Sequence, residues 1–255
     1  MEILSLDIGG KFAHFRKYYA NNTALSYTIP PRTTVMGMLA AILGRERDSY
    51  YEELASEKIR IGIRIMTPLK KSFHRLNLLS IKNTDDFTGK GGRIQTPFEV
   101  ITGFNLPTDW VVYRIFLGST PEGRVVFDEI REALSTRKQK YNLSLGTANF
   151  TANLMNVHRY KEVHSERTND WIIIHSAVAS DTVIQLGFEK DVNGATNFLE
   201  EDLLPADFIG NQNREIRKMV RAVYSTRNLP FEVKLSVPYF PISNGSQIQN
   251  IVFLE

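Results

Sequence analysis

The chain has no cysteine. Disulfides, thiol nucleophiles and cysteine-ligated zinc are therefore excluded, and the composition suits a reducing compartment. Long apolar runs are also missing. The longest, at residues 35–43 and 171–174, are far too short to span a bilayer. Acidic Glu2 follows Met1 with no apolar stretch behind it, so no secretory leader is expected. The default is a soluble, cytoplasmic protein with no membrane partner. Excess charge is scarce as well: 31 Lys and Arg against 28 Asp and Glu leave +3, too little by itself to mark a nucleic-acid binder. Catalytic signatures are equally thin. There is no Walker loop, no glycine-x-serine-x-glycine elbow and no paired-carboxylate pattern. The histidines, His14, His74, His158, His164 and His175, fall at no metal-ligand spacing, so neither a metal nor another cofactor is expected.

What is present is a large apolar fraction, 42% of 255 residues, enough to build a core for one large domain or two small ones. Charge is also unevenly spread. Residues 1–93 carry 15 basic and 9 acidic side chains, whereas the remainder carries 16 and 19. Counterion release from an anionic backbone would favour binding through that early third; ordinary surface charge gives the same asymmetry.

Period-2 alternation predicts a strand over 2–8, and isoleucines at 59, 61, 63 and 65 predict a second with Arg60 and Arg64 on its other face. A third runs over 110–117. Helical spacing predicts helices over 33–43 and about 122–136. Strand, helix, strand, strand, helix opens a ferredoxin-like split β-α-β unit. Residues 73–81 and 94–102 read as two further strands, joined by a connection with three glycines and three cations. That composition suggests a mobile basic hairpin ordered by a partner, or a plain flexible one. Strands are expected over 155–163, 171–176, 183–188, 220–225, 231–237 and 248–253, with polar turns at 193–197 and 211–213. The fold class is α+β: a ferredoxin-like domain at 1–150 with an arm at about 70–105, then a β-rich lobe at 151–255 with an ill-defined boundary.

One stretch joins a rigid double proline to an apolar helix: Tyr27-Thr28-Ile29-Pro30-Pro31-Arg32-Thr33-Thr34-Val35-Met36-Gly37. Thr33 or Thr34 can cap that helix and Gly44 can end it. Arg32 then stands at the positive end of the helix dipole, where a phosphate could be gripped; alternatively it is merely solvated beside a capped core helix. Aromatics and cations interleave in Phe12-Ala13-His14-Phe15-Arg16-Lys17-Tyr18-Tyr19, a pattern suited to stacking unpaired bases, or to a core with solvated cations.

Together, Leu6-Asp7-Ile8-Gly9-Gly10-Lys11-Phe12-Ala13-His14-Phe15-Arg16-Lys17, the proline-arginine-threonine-threonine helix and Tyr141-Asn142-Leu143-Ser144-Leu145-Gly146-Thr147-Ala148-Asn149-Phe150 resemble the CRISPR-associated Cas-five family of the RAMP superfamily, in an I-B-like form. The motifs span roughly residues 1–160. This resemblance implies a ferredoxin-like fold and a non-catalytic subunit that binds and caps the 5′ handle of crRNA in a type I Cascade complex. Its partners would be crRNA, the backbone subunit, the large subunit and, through the complex, target DNA. The RNA surface it implies comprises Lys11, His14, Arg16, Lys17, Arg32, Thr33 and Thr34, with Lys70, Lys71, His74 and Arg75 at the root of the arm and Lys90 and Arg93 at its tip. Gly146 would bring backbone close to the RNA, or only turn the chain. Some relatives process precursor crRNA without metal. The runner-up is therefore an endoribonuclease in which Tyr50 (or Tyr51), Lys71 and His74 act as acid, cation and base.

Overall fold

A computed structural model describes residues 1–21, 23–187, 196–210, 213–243, 245 and 247–255. The chain is mostly β. Its first part runs β1 (Ile3–Gly10), β2 (Phe15–Arg16), β3 (Ser26–Tyr27), α1 (Arg32–Leu43), β4 (Ile59–Ile65), β5 (Leu69–Leu79), β6 (Arg93–Gly103), β7 (Val111–Ser119), α2 (Arg124–Ser135), β8 (Leu143–Ser144) and β9 (Thr151–Tyr160). The second part is β10 (Ile172–Ile174), β11 (Val178–Ala179), β12 (Val183–Leu186), β13 (Leu199–Phe208), β14 (Ile216–Ser225), β15 (Phe231–Leu235), β16 (Phe240–Ser243) and β17 (Ile248–Ile251). The polar turns expected at 193–197 and 211–213, and the end of the strand expected to reach 188, lie wholly or partly outside the described residues.

The main sheet is antiparallel, in the order β4-β7-β1-β9-β8. α1 carries the chain from β1 to β4 past β7, and α2 carries it from β7 to β9 past β1, so the two crossovers interleave. Alternation decides which face the helices cover. Leu4, Leu6 and Ile8 of β1, the four isoleucines of β4, and Val111, Tyr113, Ile115 and Leu117 of β7 form one apolar face with both helices. The opposite face carries Ile3, Phe116 and Tyr160, covered by Phe240, Ile242 and Ile251.

β9 begins at Thr151 and lies inside the main sheet, so that sheet continues past residue 150. The later strands pack against the same core. Leu204 and Ala206 of β13 and Val220, Ala222 and Tyr224 of β14 join the same core cluster as α1. α1 is consequently buried on more than one side: Val35, Met36, Met38, Leu39, Ala40 and Ile42 are all enclosed.

β5 and β6 pair over their full length, from Leu69 opposite Gly103 to Leu79 opposite Arg93, as a two-stranded ribbon with most side chains in solvent. Its root is tied to the body by backbone bonds between Ala13 and Ile101 and between Ala24 and residues 97 and 99. The connection at its tip carries hydrogen bonds of its own. A 3-10 turn, Thr84–Thr88, is capped by Asn83, and the Asp86 carboxylate accepts from the backbone N–H groups of Lys82 and Asn83.

Candidate functional site

The N-terminus of α1 opens onto a surface groove of about 450 Å³. One wall is the outer side of the helix, with Thr33, Thr34, Gly37 and Met38. Arg16 and Tyr18, Asn142, Ser144 and Gly146 of β8 and the following loop, and Tyr50, Tyr51, Phe208 and Arg214 also line it. Pro31 is the N-cap residue and has no side-chain acceptor, and neither Thr33 nor Thr34 supplies the expected bond, because the helix already begins at Arg32 and both threonines lie inside it. The threonine hydroxyls are thus left to line the groove. Gly44 ends the helix in the left-handed region, at φ 77°, as the spacing predicts.

Rings of this lining form an edge-to-face series, Tyr50 to Tyr51 at 5.0 Å and Tyr51 to Phe208 at 5.2 Å between centroids. Burial pushes the hydroxyls of Tyr50 and Tyr51 above the ordinary phenol range, so both remain protonated donors at neutral pH. Asp48 accepts from the Tyr51 hydroxyl and pairs with Arg214 at 3.0 Å, and both contacts hold its carboxyl below the usual range. The groove therefore offers hydroxyl, amide and guanidinium donors beside aromatic faces, around an uncapped helix N-terminus. That is a donor set for a polyanion with flat rings.

Of the expected RNA residues, the structure brings Arg16, Thr33, Thr34 and Gly146 to this groove. The others stand elsewhere. Arg32 is the main correction. Its residue is 1% exposed, and its guanidinium bonds to Asp207 Oδ1 at 2.6 Å, to the carbonyl of Leu54 at 2.9 Å and to those of Ile59 and Ala206. A charge so enclosed, with both terminal amino groups bonded inside the protein and only Nε without a partner, does not reach a surface phosphate. The reason is β13, which packs over the Arg32 side of the helix start. A bulge around residues 205–207 breaks the alternation and turns Asp207 inward toward Arg32.

His14 is also internal. Its Nδ1–H donates to the Glu99 carbonyl at 2.7 Å and its ring stacks on Phe98 at 4.0 Å, while burial, the largest influence, holds its pKa below the ordinary histidine value. Lys17 pairs with Asp202 at 2.5 Å. Lys11 donates to the carbonyls of Leu106, Pro107 and Asp109, and its ammonium lies over the Trp110 ring. Gly146 makes its close approach to protein. At φ 97° it lies against the His14 carbonyl oxygen, which a Cβ would meet at 1.8 Å.

Lys70, Lys71, His74, Arg75, Lys90 and Arg93 all stand on the ribbon or its tip, outside the groove lining. Lys70 donates to the Phe104 carbonyl, Lys71 faces Glu200 at 3.5 Å, and His74 Nε2 lies 3.1 Å from Ser72 Oγ. The trio proposed for cleavage is thereby divided, with Tyr50 in the groove and Lys71 and His74 on the ribbon. Sequence reasoning missed Arg214, two residues before β14, which no motif or spacing singles out. Tyr18, Asn142 and Ser144 lay inside the quoted motifs, but no spacing distinguished them from their neighbours.

Among the described residues, no group of three or more His, Asp or Glu side chains is gathered as metal ligands would be, and no helix is long and apolar enough to cross a membrane. The family described as CRISPR-associated protein (Cas_Cas5) matches residues 3–170. A CRISPR protein from Archaeoglobus fulgidus, known from a crystal structure, aligns over 100% of both chains with a TM-score of 0.57 and 11% identity. A chain from the cryo-EM structure of the Type III-B Cmr-beta bound to cognate target RNA and AMPPnP aligns over 91% of this chain and 86% of its own, with a TM-score of 0.51 and 13% identity. At these identities the likeness is one of fold. Comparison with curated proteins gives no match.

Proposed function

The chain belongs to the CRISPR-associated Cas5 family, and on that premise we propose that it is a non-catalytic RNA-binding subunit of a type I CRISPR Cascade complex, which holds the 5′ handle of crRNA in antiviral defence. The observation that carries this reading is the groove over α1. Three separated segments, around Arg16, Thr33–Thr34 and Gly146, converge there with tyrosine rings and Arg214. Phosphates would meet the helix N-terminus, the threonine hydroxyls and the guanidinium groups, while unstacked bases would meet the tyrosine faces. The ribbon, with Arg75, Lys90 and Arg93 in solvent, would extend the contact along the guide and toward the backbone subunit. The interleaved crossovers of the main sheet fit the ferredoxin-like unit that the family resemblance implies.

Support for binding without cleavage comes from the division of the candidate trio. General acid, base and phosphorane cation must meet within about 3 Å of the reacting atoms, and Tyr50 does not share a site with Lys71 and His74. The test is anisotropy of a labelled handle RNA over a salt series. Affinity should fall linearly on a log–log plot, and Arg16→Ala should weaken it without lowering the unfolding temperature. Handle binding that is undetectable, or indifferent to salt, defeats the proposal. Incubation with repeat RNA and a chelator tests the enzymatic alternative, which requires specific cuts that disappear in His74→Ala.

A further inference from the structure

Strand β13 places three carboxylates against three cations of the early basic third. Asp207 lies 2.6 Å from Arg32, Asp202 lies 2.5 Å from Lys17 and Glu200 lies 3.5 Å from Lys71. The pairs differ in burial. Side-chain exposure is 0% and 4% for Arg32 and Asp207, 14% and 9% for Lys17 and Asp202, and 23% and 42% for Lys71 and Glu200. The first two are fixed parts of the interior, because separating them would strand a charge. The third is loose and reaches solvent, so its cation can change partners at little cost.

Its two members are not equivalent. The Glu200 carboxylate is held in place by the Thr28 hydroxyl; the Tyr224 hydroxyl, which donates to Asp202 at 2.7 Å, lies 3.4 Å from it. Lys71 sits at the root of the ribbon, on the same strand as Lys70, His74 and Arg75. An anion anchored by its own hydrogen bond therefore stands where a phosphate would stand, beside a lysine that can leave it.

Resting on the RNA-binding reading above, we propose that Glu200 is a specificity-determining residue that acts as a built-in phosphate substitute on Lys71. A nucleic acid must draw Lys71 away from it to use that lysine, and the fixed carboxylate then opposes any phosphate that stays near. An RNA with further matched contacts overcomes this opposition. A polyanion held by charge alone does not. This is discrimination by a repulsive element placed against the wrong ligand.

Glu200→Gln keeps an acceptor for the Thr28 hydroxyl but removes the charge. The experiment is a cycle of Glu200→Gln, Lys71→Ala and the double variant, titrated with handle RNA, with an unrelated single strand of equal length and with heparin, over a salt series. Glu200→Gln should tighten the unrelated strand and heparin by about two- to fivefold, more than it tightens handle RNA. The salt slope should steepen by about 0.7, and both changes should vanish when Lys71 is alanine. Unchanged affinities and slopes overturn the proposal. So does tightening that persists without Lys71, which would report only a general loss of negative charge. If Glu200→Gln does not fold, Glu200→Asp, which withdraws the carboxylate by one methylene, is read in its place. A parent protein that binds heparin but not handle RNA overturns the RNA reading alone, and the heparin cycle still decides the exchange between Lys71 and Glu200.

Discussion

Arg32 and Arg75 both lie in segments whose composition points to RNA, yet their surroundings are opposite. Arg32 is enclosed between α1, the carbonyls of Leu54 and Ile59, and Asp207. Arg75 stands in solvent on a ribbon whose neighbouring Phe73 is itself 61% exposed. The difference teaches that cation density in a sequence counts two populations. One neutralises acids of the same chain across the core. The other is left over for a partner. The excess of base in residues 1–93 and of acid beyond them is partly the first population, because β13 returns three carboxylates to the early third.

The largest way to break this comparison is Arg32→Ala. Removing one partner of an enclosed pair leaves Asp207 as an unpaired buried charge, and stability should fall by about 3–5 kcal/mol. Urea unfolding measures it. A variant as stable as the parent but weak in RNA retention would return Arg32 to the RNA surface. Gly146→Ala comes next. Its Cβ meets the His14 carbonyl at 1.8 Å and its φ is 97°, so a loss of about 2 kcal/mol is expected, with the groove border displaced. Thermal unfolding checks the first effect and Arg16-dependent RNA binding the second.

A smaller effect comes from pH. Burial, with Arg64 adding to it, holds His175 at about 4, down from the model-peptide value of 6.5. Its folded form therefore binds fewer protons than its unfolded form between those values. Stability should fall as pH drops from about 6.5 toward 4, by of order 1 kcal/mol once its partial exposure is allowed for. His14, lowered in the same direction by its own burial, adds to the trend. Unfolding midpoints of the parent and of His175→Gln across that range measure the slope, and an identical slope in both would refute the assignment. The smallest stability change belongs to the ribbon. Arg75→Ala, Lys90→Ala and Arg93→Ala together should move stability by less than about 0.5 kcal/mol. They should also flatten the salt dependence of RNA binding by up to about 2. Large destabilisation with unchanged RNA binding would reverse the contrast with Arg32.

Much of the frame was legible because alternation and helical spacing are local. The isoleucines of β4, the two faces of β7 and the spacing of α2 match the structure within a few residues. The ribbon strands were readable for the same reason. β13 was not. Its acids and Pro205 argue against a strand, and only its bulge and its pairing with β14 make them acceptable. β16, four residues long with Pro241 inside it, carried too little pattern to be seen. Of the candidate site, Arg16, Thr33, Thr34 and Gly146 were readable as parts of motifs, whereas Arg214 reaches the groove only in the tertiary structure.

The linear order of residues settled which segments form the sheet and its helices, because burial of alternating or helically spaced side chains is a property of each segment alone. It also settled that no cysteine chemistry is available. Which cations remain for a ligand was decided only when distant segments met. A guanidinium is a surface donor or an internal clamp according to what packs over it, and for Arg32 that cover is a strand about 170 residues away in the chain, brought there by burial of Leu204 and Ala206 against α1.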